Sequence, residues 1–253
     1  MIANHLSDPV ATTPKPRKGL TLFEFVVATG VVMLISFVAV MFLLPVTRGR
    51  EGARRSQCKN NLKQIGLALY NYHDQYHAFP PAYTVDADGK PLHSWRTLIL
   101  PYLEQKALYD KIDLTKPWDD PANAEVFKLY PIDSYRCPSE PGPATHTTYL
   151  AVVTSNSCLR PGESARLSDI KDGTSGTLMV TEVDSEHAVP WMAPMDADES
   201  LFLAIGPTSK LVHTGGVHAV LADGTVRFFT VGHLAEIGRT LISIDGAEAL
   251  INL

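Results

Sequence analysis

The sequence predicts an α+β fold: a long N-terminal helix, membrane-spanning in its first half, packed on a mainly antiparallel β-sheet with short helices. Three observations predict it. Phe25 to Val46 is a run of 22 residues without a charged side chain, enough for the roughly 20 residues a helix needs to cross hydrocarbon. Leu62, Ile65, Leu69, Tyr72 and Tyr76 then recur at three- and four-residue steps, as on one face of a helix. Beyond Pro131 that period gives way to short strand-like runs. At 253 residues the chain has room for one ordinary domain and an anchor.

The apolar run comes first in the chain. A secretory signal peptide is shorter and ends in a small-x-small cleavage site. Here Leu43-Leu44-Pro45-Val46-Thr47-Arg48 closes the run instead, so removal of the whole segment is not expected. From Leu20 to Val46 the only charge is Glu24. A carboxylate near the end of a spanning helix costs up to a few kcal/mol and calls for a partner. A cut between Gly19 and Leu20 would supply one, because the new amino group would stand four residues before Glu24, on the same helix face. Lys15, Arg17 and Lys18 precede the run, and Arg48, Arg50, Arg54, Arg55 and Lys59 follow it, as headgroup-contacting flanks. The net charge of −5 gives no reason to expect nucleic acid.

After the run the helix continues as an amphipathic segment, with a kink or local unwinding expected at Pro45 and an end at Phe79-Pro80-Pro81. Thr97 to Tyr109 predicts a short helix interrupted or started by Pro101. Asp120-Pro121 reads as an N-cap followed by proline at the first helical position. Tyr149–Thr154, Leu178–Val183, Val217–Ala222 and Thr225–Phe229 read as strands, the last two joined by an Asp223-Gly224 turn.

Three cysteines cannot all pair within the chain, and none lies in a Cys-x-x-Cys arrangement. In an oxidising compartment one disulfide is expected. Cys137 with Cys158 closes the shortest loop, Cys58 with Cys137 is the competing pair, and the sequence does not choose between them. His213 and His218 approach a cluster with Asp223, but no His-Glu-x-x-His or related ligand spacing is present. Asp86-x-Asp88-Gly89 has its glycine too early for a calcium loop. Ser139, Ser175 and Ser209 lack a Gly-x-Ser-x-Gly context. Trp95, Trp118 and Trp191 read as core or rim residues before a glycan groove. The expectation is no enzyme, no cofactor and no metal.

Two family resemblances rest on these residues. Arg17-Lys18-Gly19-Leu20-Thr21-Leu22-Phe23-Glu24-Phe25 resembles the class III leader junction of type IV prepilins and pseudopilins. The resemblance implies cleavage after Gly19 by the prepilin peptidase, N-methylation of Leu20, and a role for Glu24 in subunit assembly. The second resemblance is to the bacterial domain-of-unknown-function 1559 family. It is carried by Ser56-Gln57-Cys58 through His73-Asp74, Ser94-Trp95-Arg96 through Glu104-Gln105, Arg136-Cys137-Pro138-Ser139 and Asp172-Gly173-Thr174-Ser175. His213, nine residues, then Asp223-Gly224 fits that family's C-terminal mark, whose role is unknown.

Together these imply a pilin-like organisation: residues 1–19 a leader, 20–46 a transmembrane and assembly helix, 47–79 its amphipathic continuation, and 80–253 an extracytoplasmic α+β domain. More Lys and Arg follow the span than precede it, against the positive-inside rule. The resemblance nevertheless implies a cytoplasmic N-terminus, because the junction must face its peptidase. The expected protein is a pilin-like or pseudopilin-like subunit of the inner membrane, its partners the prepilin peptidase and other pilin-like subunits. The alternative is a non-polymerising membrane-anchored binding module outside the cytoplasm.

Overall fold

The computed structural model describes residues 21–246, the side chains of 42–48 excepted. Gly19 and Leu20, the expected processing residues, lie outside the described residues. The first helix, α1 (Leu22–Tyr76), is helical through Pro45, so the local unwinding expected there does not occur. The chain divides into two compact units, residues 1–49 and 50–253.

In the first unit, Leu22–Met41 is long and apolar enough to cross a membrane, and none of it is buried. Thr21 caps it: the Glu24 backbone N–H donates to the Thr21 hydroxyl at 3.3 Å, while the Thr21 backbone N–H and hydroxyl both donate to Glu24 Oε2, at 2.9 and 3.0 Å. This reciprocal Thr-x-x-Glu box satisfies backbone donors that the first turn would otherwise leave free.

The second unit holds the rest of the fold. There α1 buries Cys58, Leu62, Ile65, Ala68 and Leu69 completely, on one face. It ends where His77 takes a left-handed conformation, φ 59°, and donates its N–H to the His73 carbonyl at 2.7 Å. The hairpin of β1 (Tyr83–Val85) and β2 (Pro91–Ser94) leads into α2 (Trp95–Leu98), a 3₁₀ turn at Leu100–Leu103 and α3 (Lys106–Tyr109). The helix expected over Thr97–Tyr109 is thus three short pieces, parted at Ile99 and at Glu104-Gln105, with Pro101 in the first turn of the 3₁₀ piece. In α4 (Pro121–Leu129), Asp120 Oδ1 accepts from Ala122 N at 2.9 Å, the cap read from the sequence.

Next come β3 (His146–Thr147), β4 (Tyr149–Ala151), β5 (Leu178–Glu182), β6 (Val189–Pro190), α5 (Glu199–Leu203), β7 (Gly216–Leu221), β8 (Val226–Thr230) and α6 (Val231–Ile242). The main sheet is antiparallel in the order β4-β5-β7-β8, and β3 pairs with β6 apart from it. Every residue of β5 and β7 is buried, because both faces of the sheet are covered. Tyr149, Ala151, Val180, Val220 and Ala222 share one core with α1. Leu150, Val152, Val217, Ala219 and Leu221 share another with Phe202 of α5 and Leu234 and Leu241 of α6. The sequence announced only the α1 face. Two fully covered faces turn alternation into continuous apolar runs.

The disulfide joins Cys58 to Cys137, and Cys158 is a buried free thiol, so the Cys137–Cys158 pairing does not form. The reason lies one turn further along α1. The Asn61 side-chain amide donates to the carbonyls of Asp133 and Arg136, at 3.2 and 2.8 Å, and seats Cys137 beside Cys58. Cys158 lies near Tyr70 instead, 12 residues beyond Cys58 and hence about 18 Å along the helix. Burial pushes its thiol up to about 12, so it is neither paired nor nucleophilic.

Candidate functional site

The family-like stretches have structural work at three places. Arg96 is fully buried and spends its guanidinium on the 191–196 loop and β4. Nε donates to Trp191 O at 2.9 Å, Nη1 to Asp196 Oδ1 at 2.7 Å and Tyr149 O at 3.4 Å, and Nη2 to Ala193 O and Met195 O at 3.1 and 2.7 Å. Trp95 Nε1 and the Ala151 N–H share the same Asp196 oxygen, at 3.1 and 2.9 Å. Trp95 and Trp191 are buried in this core and Trp118 packs on Phe127, so the three tryptophans line no groove. The second place is the Asp223-Gly224 tip of the β7–β8 hairpin. Thr225 donates its N–H and hydroxyl to Asp223 Oδ1 at 2.9 and 2.7 Å, the Tyr70 hydroxyl donates to Ala222 O, and Asp223 N–H donates to Thr174 O at 2.9 Å. The α1 signature, the Asp172-Gly173-Thr174-Ser175 stretch and the Asp-Gly turn therefore interlock. The third is the Cys58–Cys137 bridge.

His213 does not join Asp223. It precedes β7, and the turn follows β7, so the strand holds the two apart. What His213 meets is a buried polar cluster between α1 and the sheet. Its Nδ1 stands 3.2 Å from Glu51 Oε1 on α1. Its Nε2 stands 3.5 Å from both Cys137 Sγ and Glu182 Oε1. Glu182 closes β5 on the α1 face. Its Oε2 accepts from the backbone N–H of His218 at 2.7 Å and lies 2.9 Å from His218 Nδ1. Its Oε1 is buried and takes no hydrogen bond among the described residues. The rings of His213 and His218 meet edge-on at 5.4 Å. Tyr149, paired with Glu182 across β4 and β5, has its phenol held well above the usual range, by burial first and then by the Glu182 charge.

Arg55 closes the outer side. It pairs with Glu51 at 3.6 Å, donates to Thr214 O at 2.8 Å and lies over the Phe228 ring. It is thus held by the domain, whereas Arg50 and Arg54 are exposed. Cys58 Sγ, Cys137 Sγ, one Glu182 oxygen and one His213 nitrogen all lie within 4.8 Å of one another. Sequence reasoning flagged His213 and the cysteines separately and missed both Glu182 and Glu51. No spacing could have found the set, since its members come from α1, a loop, a strand end and a second loop. Thr21-Leu22-Phe23-Glu24, by contrast, was a legible capping box read only as an assembly signal.

A family model described as "Protein of unknown function (DUF1559)" matches residues 47–202. That stretch takes in Cys58, Arg96, Cys137 and Glu182 and stops short of His213 and Asp223. No curated relative and no solved structure matches the chain.

Proposed function

We propose a function from one premise: this chain belongs to the DUF1559 family of proteins of unknown function. Within that family the reading is a pilin-like or pseudopilin-like structural subunit, cleaved after Gly19, held in the inner membrane and assembled through its N-terminal helix. The α+β domain lies outside the cytoplasm, and the partners are the prepilin peptidase and other pilin-like subunits.

The observation that carries this reading is the charge-free face of Leu22–Met41. Phe23, Met33, Leu34 and Met41 stand with most of their surface uncovered, and such a helix needs either lipid or neighbouring helices around it. The Cys58–Cys137 bridge supports an oxidising compartment for the domain. Glu24 fits a double use. It caps its own helix through Thr21 and keeps one carboxylate oxygen free of the bonds that Oε2 makes. In an assembly that carboxylate would meet the amino group of a neighbouring Leu20.

Mass spectrometry of the mature N-terminus in the membrane fraction tests the processing: a chain beginning at methylated Leu20 is expected, and an intact Met1 would overturn it. Glu24→Ala is expected to leave membrane insertion intact and to lower incorporation into sheared filaments several-fold. Undiminished incorporation would remove Glu24 from assembly. Recovery of membrane protein only, with no filament in any condition, would favour the non-polymerising binding module.

A further inference from the structure

We infer that the dithiol form of this chain binds one zinc-like divalent ion through Cys58, Cys137, Glu182 and His213, and that this metal site and the Cys58–Cys137 disulfide are alternative closures of the same cluster. Two thiolates, one imidazole and one carboxylate are a donor set that suits a borderline-soft d¹⁰ cation in four-coordinate geometry. Zn–ligand bonds of about 2.0–2.3 Å place tetrahedral donors about 3.3–3.8 Å apart. The His213 Nε2 to Cys137 Sγ and His213 Nε2 to Glu182 Oε1 separations, 3.5 Å each, already fall in that range. Opening the disulfide lets the two sulfurs move apart by rotation about their Cα–Cβ bonds.

The groups behind the donors point the same way. Glu51 Oε1 stands 3.2 Å from His213 Nδ1, so the tautomer that donates from Nδ1 to this carboxylate turns its Nε2 lone pair to the cluster, the carboxylate–histidine arrangement common behind metal-bound imidazoles. His218 occupies Glu182 Oε2 with two donors, which fixes the carboxylate and leaves Oε1 aimed inward. That oxygen, on a side chain 1% exposed, is without a hydrogen bond among the described residues. A buried carboxylate oxygen left unsatisfied costs free energy, and a cation would offset it. The chain is synthesised with thiols, so the metal would hold α1, the 133–137 loop, β5 and the approach to β7 together until thiol–disulfide exchange with a disulfide-carrying oxidant forms the bridge: the two thiolates give up two electrons, the oxidant's disulfide takes them with two protons and leaves as two thiols, and the ion is released.

The test uses the full-length chain in detergent, reduced with a water-soluble phosphine. The phosphine breaks the S–S bond, takes up oxygen from water and leaves two thiols. Metal binding then releases two thiol protons. Cobalt(II) is titrated in first as a spectroscopic probe, then zinc. One cobalt per chain is expected, with the thiolate charge-transfer band and intense visible bands of a tetrahedral site, displaced by one zinc. The unreduced chain should give neither band. Glu182→Gln and His213→Ala should abolish the tetrahedral spectrum, Cys158→Ser should leave it unchanged, and Glu51→Gln should weaken zinc by about 10–100-fold.

Alkylation of the reduced, unsubstituted chain needs no variant: zinc should shield Cys58 and Cys137, mapped by mass spectrometry. A reduced chain that unfolds and recovers its circular dichroism only with zinc would support the site equally. Octahedral cobalt spectra, equal uptake by the unreduced chain, or alkylation of Cys58 and Cys137 unaffected by zinc would overturn it. None of these readouts depends on cleavage or assembly, so failure here leaves the subunit reading standing.

Discussion

His93 carries a side chain whose cost depends on pH. It is fully buried at the end of β2, and neither ring nitrogen has a hydrogen-bond partner among the described residues. Burial lowers its pKa below the ordinary 6.5, the carbonyls of Lys116 and Asp113 opposing in part. Above about pH 6.5 the ring is neutral folded or unfolded and costs nothing extra. As the pH falls, the unfolded chain takes up a proton that the folded chain refuses, so stability is lost toward the depressed folded value. Urea midpoints of the full chain in detergent should therefore drop on acidification from pH 7 to pH 5, and His93→Leu should flatten that slope. Arg96 is the opposite case, a buried charge with every N–H used. Replacing it by Met takes the ion-pair partner from buried Asp196, which keeps only the Trp95 and Ala151 donors among the described residues, at a cost of about 3–5 kcal/mol. Chemical denaturation of the two chains side by side would check this. Neither site was legible as such: a charged side chain in Ser-Trp-Arg reads as exposed until the loop that covers it is placed.

At the scale of elements, α1 and the β7–β8 hairpin meet through two glycines. A Cβ added at Gly66 would sit 3.1 Å from Val220 Cγ1, and one at Gly224 would sit 3.2 Å from Tyr70 Cε2. Gly224 also has φ +78°, which suits glycine and strains other residues. Gly224→Ala should cost more than about 1 kcal/mol, through conformation and crowding together, seen as a lower thermal midpoint with the bridge intact. The Asp-Gly turn was legible because such a turn is local chemistry. Its docking on Tyr70 and Thr174 was not, because those partners are distant in sequence. The short β3 and β6 and the helices α5 and α6 were also missed. Thr230 caps α6 by accepting from His233 N at 3.2 Å, a signal present in the sequence but overshadowed by the strand before it.

For the whole molecule, the bridge closes a loop of 79 residues between α1 and the domain. Cys58→Ser should lower the unfolding free energy by about 2–5 kcal/mol, and Cys158→Ser by less, since only a small buried group changes; guanidinium titration of non-reduced chains separates the two. The sequence by itself determined the α+β class, the apolar span, the helical continuation, the capped α4 and the β7–β8 hairpin. Each of these is written in composition, period or a turn dipeptide, within a window of a few residues. The tertiary structure alone decided which cysteines pair, that both faces of the sheet are covered, and that Cys58, Cys137, Glu182 and His213 converge. Those outcomes depend on where distant segments dock. Asn61 choosing the carbonyls of Asp133 and Arg136 is a contact between side chain and backbone, and no local pattern records it.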